Sequence, residues 1–189
     1  LKIQQPVVFL ILSYTITLWE FHQTVEQRAK HRGIIGLVRH IEKEITMKEL
    51  RTEIVIQASP EKVWKILTDL DKYPDWNKFI CHAVGKAEIG KTVDIDFQPD
   101  GKGLKLHCMV ARYQPNRELS WKYHVTHPLL FRGEHIFTIE PLGENQVRFI
   151  DREEFNGLLV FTQAKDIDTN TRRGFESMDK ALKARAEAK

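Results

Sequence analysis

Little in this chain marks a specialised environment, and each absence removes a class of function. Cysteine is scarce, with Cys81 and Cys108 the only two in 189 residues. Neither stands in a C-x-x-C spacing. The chain therefore has no disulfide framework, and both thiols read as small reduced strand residues that suit a cytoplasmic setting. An excess of charge of one sign is also missing: Lys and Arg number 29 against 26 Asp and Glu. Residues 1–46 hold six against four and the remainder 23 against 22, which is no cationic footprint for a nucleic acid. There is no Gly-rich phosphate loop, no nucleophile elbow and no Cys–His pair placed together, so neither a catalytic centre nor a cofactor is indicated. His124-x-x-His127 lacks a third ligand nearby, so no metal site is read there. Internal repeats and low-complexity tracts are absent.

A membrane-spanning run is missing too. Val7–Trp19 is apolar over 13 residues, short of the ~20 needed to cross a bilayer. No small-x-small cleavage site follows it. Arg28, Lys30 and Arg32 lie beyond it, and Ile34, Leu37, Val38, Ile41 and Ile45 then mark one face of a short amphipathic helix. The first methionine is Met47. The chain accordingly divides into an extension, residues 1–46, and a domain, residues 47–189. Three readings of the extension stand: non-native sequence upstream of a Met47 start, a weak membrane anchor, or a helix packed on the domain or a partner.

What is present is concentrated in residues 51–76. Arg51 to Gln57 alternates Ile54 and Ile56 against Glu53, Val55 and Gln57, the pattern of a strand. Ser59 and Pro60 are a helix cap and first turn. Val63, Ile66, Leu67 and Leu70 keep the spacing of one buried helical face, predicting a helix over 59–70 that Tyr73-Pro74-Asp75-Trp76 stops. Alternating segments with turn chemistry between them continue to Asn156, arguing for an antiparallel meander. From about Thr162 to Ala188 the pattern is helical, with Ile167, Thr171, Phe175, Met178 and Leu182 on one face. Gly174 in that helix costs about 1 kcal/mol against alanine, which calls for close approach of the sheet or a ligand.

The strand, the Ala58-Ser59-Pro60-Glu61-x-Val63-Trp64 helix, the Tyr-Pro-x-Trp turn and the Arg172-Arg173-Gly174-Phe175-Glu176-x-Met178 segment together resemble the START/polyketide-cyclase (SRPBCC) superfamily. That resemblance implies an α+β helix-grip fold: a curved antiparallel sheet of about seven strands wrapped around a long C-terminal helix. It also implies a cavity between them for an apolar ligand.

Alternation selects the residues that face such a cavity. With a turn at Pro141–Asn145, Ile139 can pair with Val147, Phe137 with Phe149, and His135 with Asp151. The odd positions then carry His135, Phe137, Asp151, Glu153 and Phe155, and the even ones Glu134, Glu140, Arg148, Arg152 and Glu154, plainly the wet side. Trp121 and Tyr123 turn inward on the neighbouring strand, and Phe175 and Met178 face them from the helix. Carboxylates on an apolar face are costly unless paired or protonated. They read either as a polar anchor for a ligand oxygen or as an internal cluster satisfied by its own partners. The expected function is binding of a hydrophobic small molecule of lipid, polyketide or isoprenoid type. A cyclase or dehydrase with Asp151 or Glu153 as base and His135 or Tyr123 polarising a carbonyl is the alternative. A third is a protein-interaction or membrane-tethered quinone- or lipid-binding module. Peripheral membrane contact would come through the extension or through the apolar turns His127–Phe131 and Gly157–Phe161, which also read as a lid or as caps on the helix end.

The extension is expected to be dispensable for folding. A chain starting at Met47 should melt with the cooperativity and midpoint of the full chain. Aggregation or a loss of several kcal/mol would mean that the Ile34–Ile45 face is buried on the domain.

Overall fold

Ser59 and Pro60 open the first helix as their chemistry dictates. The structure, a computed structural model, describes residues 47–98, 103–125 and 127–188. The Val7–Trp19 run and the Ile34–Ile45 stripe lie outside the described residues. Strand β1 (Met47–Ile56) leads to Ser59, whose Oγ accepts from the Lys62 N–H at 3.3 Å. Helix α1 (Pro60–Thr68) then buries Val63, Trp64 and Leu67. It is shorter than the expected 59–70. The Thr68 hydroxyl turns back to the Trp64 carbonyl, and Leu70–Asp75 forms a 3-10 turn that takes Pro74 inside it. The Tyr73 hydroxyl donates to the Leu67 carbonyl at 3.0 Å in the interior, satisfying a carbonyl that the helix end leaves orphaned.

Strands β2 (Ile80–Gly85), β3 (Thr92–Phe97), β4 (Leu104–Gln114), β5 (Glu118–His124), β6 (Arg132–Gly143) and β7 (Gln146–Asn156) follow. All ladders are antiparallel, in the order β1-β7-β6-β5-β4-β3-β2. Strands β2 to β7 form a meander, and β1 closes its far edge. Strand β1 begins four residues earlier than the alternation indicated, because Met47–Leu50 find ladder partners in Glu153–Asn156. Irregular steps at Ile80/His82, Val110/Arg112 and Pro141/Gly143 bend the strands locally. The chain closes with α2 (Val160–Asp166), a π turn (Ile167–Thr171) and α3 (Arg172–Glu187). This is the expected helix-grip α+β fold, a curved seven-stranded sheet with one long C-terminal helical segment.

The last hairpin departs from the expected pairing by two residues. His135 lies opposite Glu153, Phe137 opposite Asp151 and Ile139 opposite Phe149. Strand β6 runs on to Gly143, so the turn is tighter than a Pro141–Asn145 loop. Because strand side chains alternate with period two, a shift of two keeps every side chain on its face. His135, Phe137, Ile139, Val147, Phe149, Asp151, Glu153 and Phe155 are all buried, while Arg148 and Arg152 are half-buried. The outer face is not uniformly wet, since Ile136 and Ile150 are buried there as well.

Helix α3 packs along β1 and reaches α1, and Ile167, Thr171, Phe175, Met178 and Leu182 are all buried. Gly174 has a packing reason, and it is an aromatic ring. A Cβ there would stand 1.9 Å from Phe79 Cε2. Phe79 is itself buried, with Phe97 at 4.5 Å and Phe175 at 5.6 Å between ring centroids, both edge-on. The ring has nowhere to go. Gly174→Ala gains about 1 kcal/mol of helix propensity but overpacks the core, and is expected to destabilise by roughly 1–2 kcal/mol net in urea unfolding. Phe79→Leu in the same chain should recover part of the loss. A more stable Gly174→Ala protein would refute the contact.

Candidate functional site

Five strand and helix segments bring ionisable groups to one place inside the grip. Alternation on β6 and β7 turns His135, Asp151 and Glu153 inward. Strand β5 supplies Trp121 and Tyr123, β1 supplies Thr52, and the buried stripe of α3 supplies Phe175, Met178 and Asp179. His135 Nε2 lies 2.5 Å from Asp151 Oδ1, a diagonal contact across the ladder, with the two side chains 5% and 0% exposed. The Tyr123 hydroxyl donates to Glu153 Oε1 in a short hydrogen bond. Gly133, opposite Tyr123 on β6, makes room for that phenol, since a Cβ there would meet Tyr123 Cζ at 2.5 Å.

Aromatic rings enclose the pair. The His135 ring stacks flush on Phe175 (4.7 Å, 3°), with Phe137 at 4.3 Å and Trp121 edge-on at 6.3 Å. Phe155 packs instead on Phe131, toward the loop between β5 and β6. Met178 is fully buried in the same core. The nine residues expected to face inward are thus buried, or in the case of Tyr123 half-buried. Trp121, His135, Phe137, Asp151 and Phe175 form one group, and Tyr123 with Glu153 a second beside it.

Burial sets the electrostatics. It pushes Asp151 well above the usual carboxylate range and pulls His135 below the usual imidazole value, against the pull of Glu153 and Asp179. With both groups neutral, the Asp151 carboxyl O–H donates to bare His135 Nε2. Burial also raises Glu153, with His135 and the Tyr123 hydrogen bond opposing it. Asp179 is pushed up to about 8, first by burial and then by the proximity of Asp151. A hydrogen bond from Thr52 and the nearby His135 pull it back, while Asp179 Oδ1, Asp151 Oδ2 and Trp121 Nε1 have no hydrogen-bond partner.

Asp179 and Thr52 are members that sequence reasoning missed. The signal existed. Asp179 is four residues after Phe175 and so on the same helical stripe, and Thr52 shares the inward parity of Leu50 and Ile56.

The remaining candidates lie elsewhere. His124 and His127 are exposed, as are Asp69 and Asp71. Among the described residues no group of three or more His, Cys, Asp or Glu is placed to hold a metal. Nor is any helix among them long and apolar enough to cross a membrane. A cleft of about 360 Å³ between the end of α1 and the β2–β3 turn is lined by Asp69, Asp71, Lys86 and Glu88, all exposed, beside Tyr113. The two apolar turns are tied together, Leu158 N–H to Leu129 O at 3.1 Å and Leu159 N–H to Leu130 O at 3.0 Å, leaving Leu129 and Phe161 exposed.

The family model described as "Polyketide cyclase / dehydrase and lipid transport" matches residues 47–187. No curated protein matches the chain. Three solved structures illustrate the shared fold. A START superfamily protein from Mycobacterium smegmatis is 21% identical, with a TM-score of 0.61 over 74% of this chain and 97% of that one. The ZhuI aromatase/cyclase from a Streptomyces species is 14% identical, with a TM-score of 0.63 over 75% and 94%. Norcoclaurine synthase from Thalictrum flavum, in complex with dopamine and hydroxybenzaldehyde, is 14% identical, with a TM-score of 0.57 over 79% and 94%.

The buried carboxyls predict an unusual pH dependence. An Asp released near its ordinary value of 3.8 in the unfolded chain stays protonated to about 8 at Asp179 in the folded protein. Stability from such a raised acid is fully present below the unfolded pKa and is lost as pH rises through the folded one. His135 has the opposite sign: its folded pKa lies below 6.5, so its contribution is lost as pH falls beneath that value. The melting temperature should therefore fall between pH 6.5 and ~9. Asp179→Asn, which holds that position uncharged, should flatten the fall. A melting temperature that climbs over this range would contradict the protonation states.

Proposed function

The chain belongs to the polyketide cyclase/dehydrase and lipid transport family, and from that premise we propose that it binds a hydrophobic small molecule between the curved sheet and α3. One observation carries the reading: the His135–Asp151 and Tyr123–Glu153 pairs sit deep inside an aromatic wall. A core serving only to hold the fold gains nothing from such groups. Apolar side chains of similar volume would avoid the desolvation of three carboxyls and leave no orphaned polar atoms. Ionisable groups perturbed by burial and by one another among aromatic rings are the mark of a polar anchor in an apolar site. In this reading the aromatic residues hold the ligand's body. Trp121 Nε1 donates to its oxygen, with the Tyr123–Glu153 pair beside it.

A second reading rests on the 2.5 Å contact of His135 and Asp151. A neutral acid hydrogen-bonded to a neutral imidazole can pass its proton along the contact, giving a carboxylate–imidazolium pair of unchanged net charge. That suits the acid–base step of a cyclase or dehydrase.

The test is native mass spectrometry and organic extraction of the purified full chain. An apolar molecule should co-purify at defined stoichiometry, and Trp121→Phe, which removes the indole N–H, should weaken its retention by about tenfold while the protein stays folded. A bare protein that also fails to bind a panel of apolar alcohols, ketones and acids would end the proposal. Turnover of a bound ketone, abolished by Asp151→Asn with binding intact, would favour the second reading.

A further inference from the structure

We propose that the interior site takes a ligand bearing a basic nitrogen, held as an ammonium group with Asp179 as its counter-charge and Asp151 as a neutral acceptor. This rests on the small-molecule reading above and narrows it to a chemical class. The first argument is the balance of charge-bearing groups. Asp151 and Glu153 on β7 and Asp179 on α3 surround His135 on β6, three carboxyls to one imidazole. Among the described residues no lysine or arginine is buried, so nothing else cationic offsets them.

The second argument is the set of unpartnered atoms. Asp151 uses Oδ1 on His135, and Glu153 uses Oε1 on Tyr123. Left over are Asp151 Oδ2 and Asp179 Oδ1, without partners in acids 0% and 3% exposed, and the acceptor capacity of the Thr52 hydroxyl beside Asp179. These are three acceptors. An ammonium group presents three donors and no acceptor. A hydroxyl brings one donor, and a carboxylate brings none and adds a fourth acid. The orphaned Trp121 N–H leaves a place for an oxygen on the same molecule.

Proton linkage follows. Asp179 is flanked by Asp151 and His135 across the interior and by Glu176 on its own helix, and it is held protonated up to about 8. Tyr73 from the 3-10 turn, Tyr123 from β5 and Cys108 from β4 are raised by burial and stay neutral. An arriving ammonium therefore displaces a carboxyl proton, and affinity rises with pH up to about 8.

The experiment compares phenylbutylamine, phenylbutanol and phenylbutanoate on the full chain by calorimetry, in buffers of different ionisation enthalpy. The amine should bind tightest and the acid weakest near neutral pH, with proton release only for the amine. Asp179→Asn should cut amine affinity by roughly tenfold or more, the cost of one charged hydrogen-bond partner, and leave the alcohol unchanged. Should that variant not fold, the proton release of the unmodified protein decides. If the alcohol binds but the amine is no tighter and releases no proton, or if the acid binds best, the amine inference fails and small-molecule binding stands. Binding of none of the three would overturn both.

Discussion

How closely α3 can approach the sheet depends on Gly174, and the interior is arranged around that distance. With no side chain there, the Phe79 ring occupies the space and supports Phe175 edge-on. Phe175 in turn lies flush on His135, so at this level the helix and the sheet meet through stacked rings. One ring placed against the helix backbone thus fixes the imidazole that organises the polar cluster. The helix could not carry a β-carbon at this point without displacing the Phe79 ring, which lies just before β2.

The polar cluster is compatible with the fold because most of it is neutral. An isolated ionised carboxylate in such surroundings would cost far more than a hydrogen bond returns. Protonation lets Asp151 donate to His135, and it lets Glu153 keep the Tyr123 hydrogen bond without a buried formal charge. What the arrangement still lacks is partners for the outward lone pairs of Asp151 and Asp179. Those atoms separate a self-contained internal network from one completed by something else. They give the site a direction, facing α3 and β1, that the two paired contacts alone do not.

Much of this was legible from the residues. Charge sorting on the last hairpin distinguished inside from outside, and Ser59-Pro60 located the start of the first helix to within a residue. The hairpin pairing was not legible, because Pro141–Asn145 permits turns of different lengths, and a shift of two preserves the same alternation. Tyr73-Pro74-Asp75-Trp76 read as a stop, whereas Tyr73 folds beneath α1 and draws the proline into a 3-10 turn. Asp179 escaped because a helical stripe is found by its apolar members, and a single carboxyl among Phe175, Met178 and Leu182 looks like an interruption. Its partners come from β1 and β7, more than a hundred residues and about thirty residues away in sequence. No local pattern connects them.

The sharing of protons among His135, Asp151, Glu153 and Asp179 constrains how this site can change over time. Each group's proton affinity is set partly by the charge of the others, so the four titrate as a unit. A substitution at one alters the ionisation of the remaining three, and its effect depends on which of them are already altered. Routes from this arrangement to another are therefore epistatic. Removing the imidazole first leaves three acids with no base among them, while removing Asp179 first relieves crowding and makes later changes at Asp151 milder. Order matters, and a lineage that lost Asp179 would have more freedom to remodel the rest than one that lost His135.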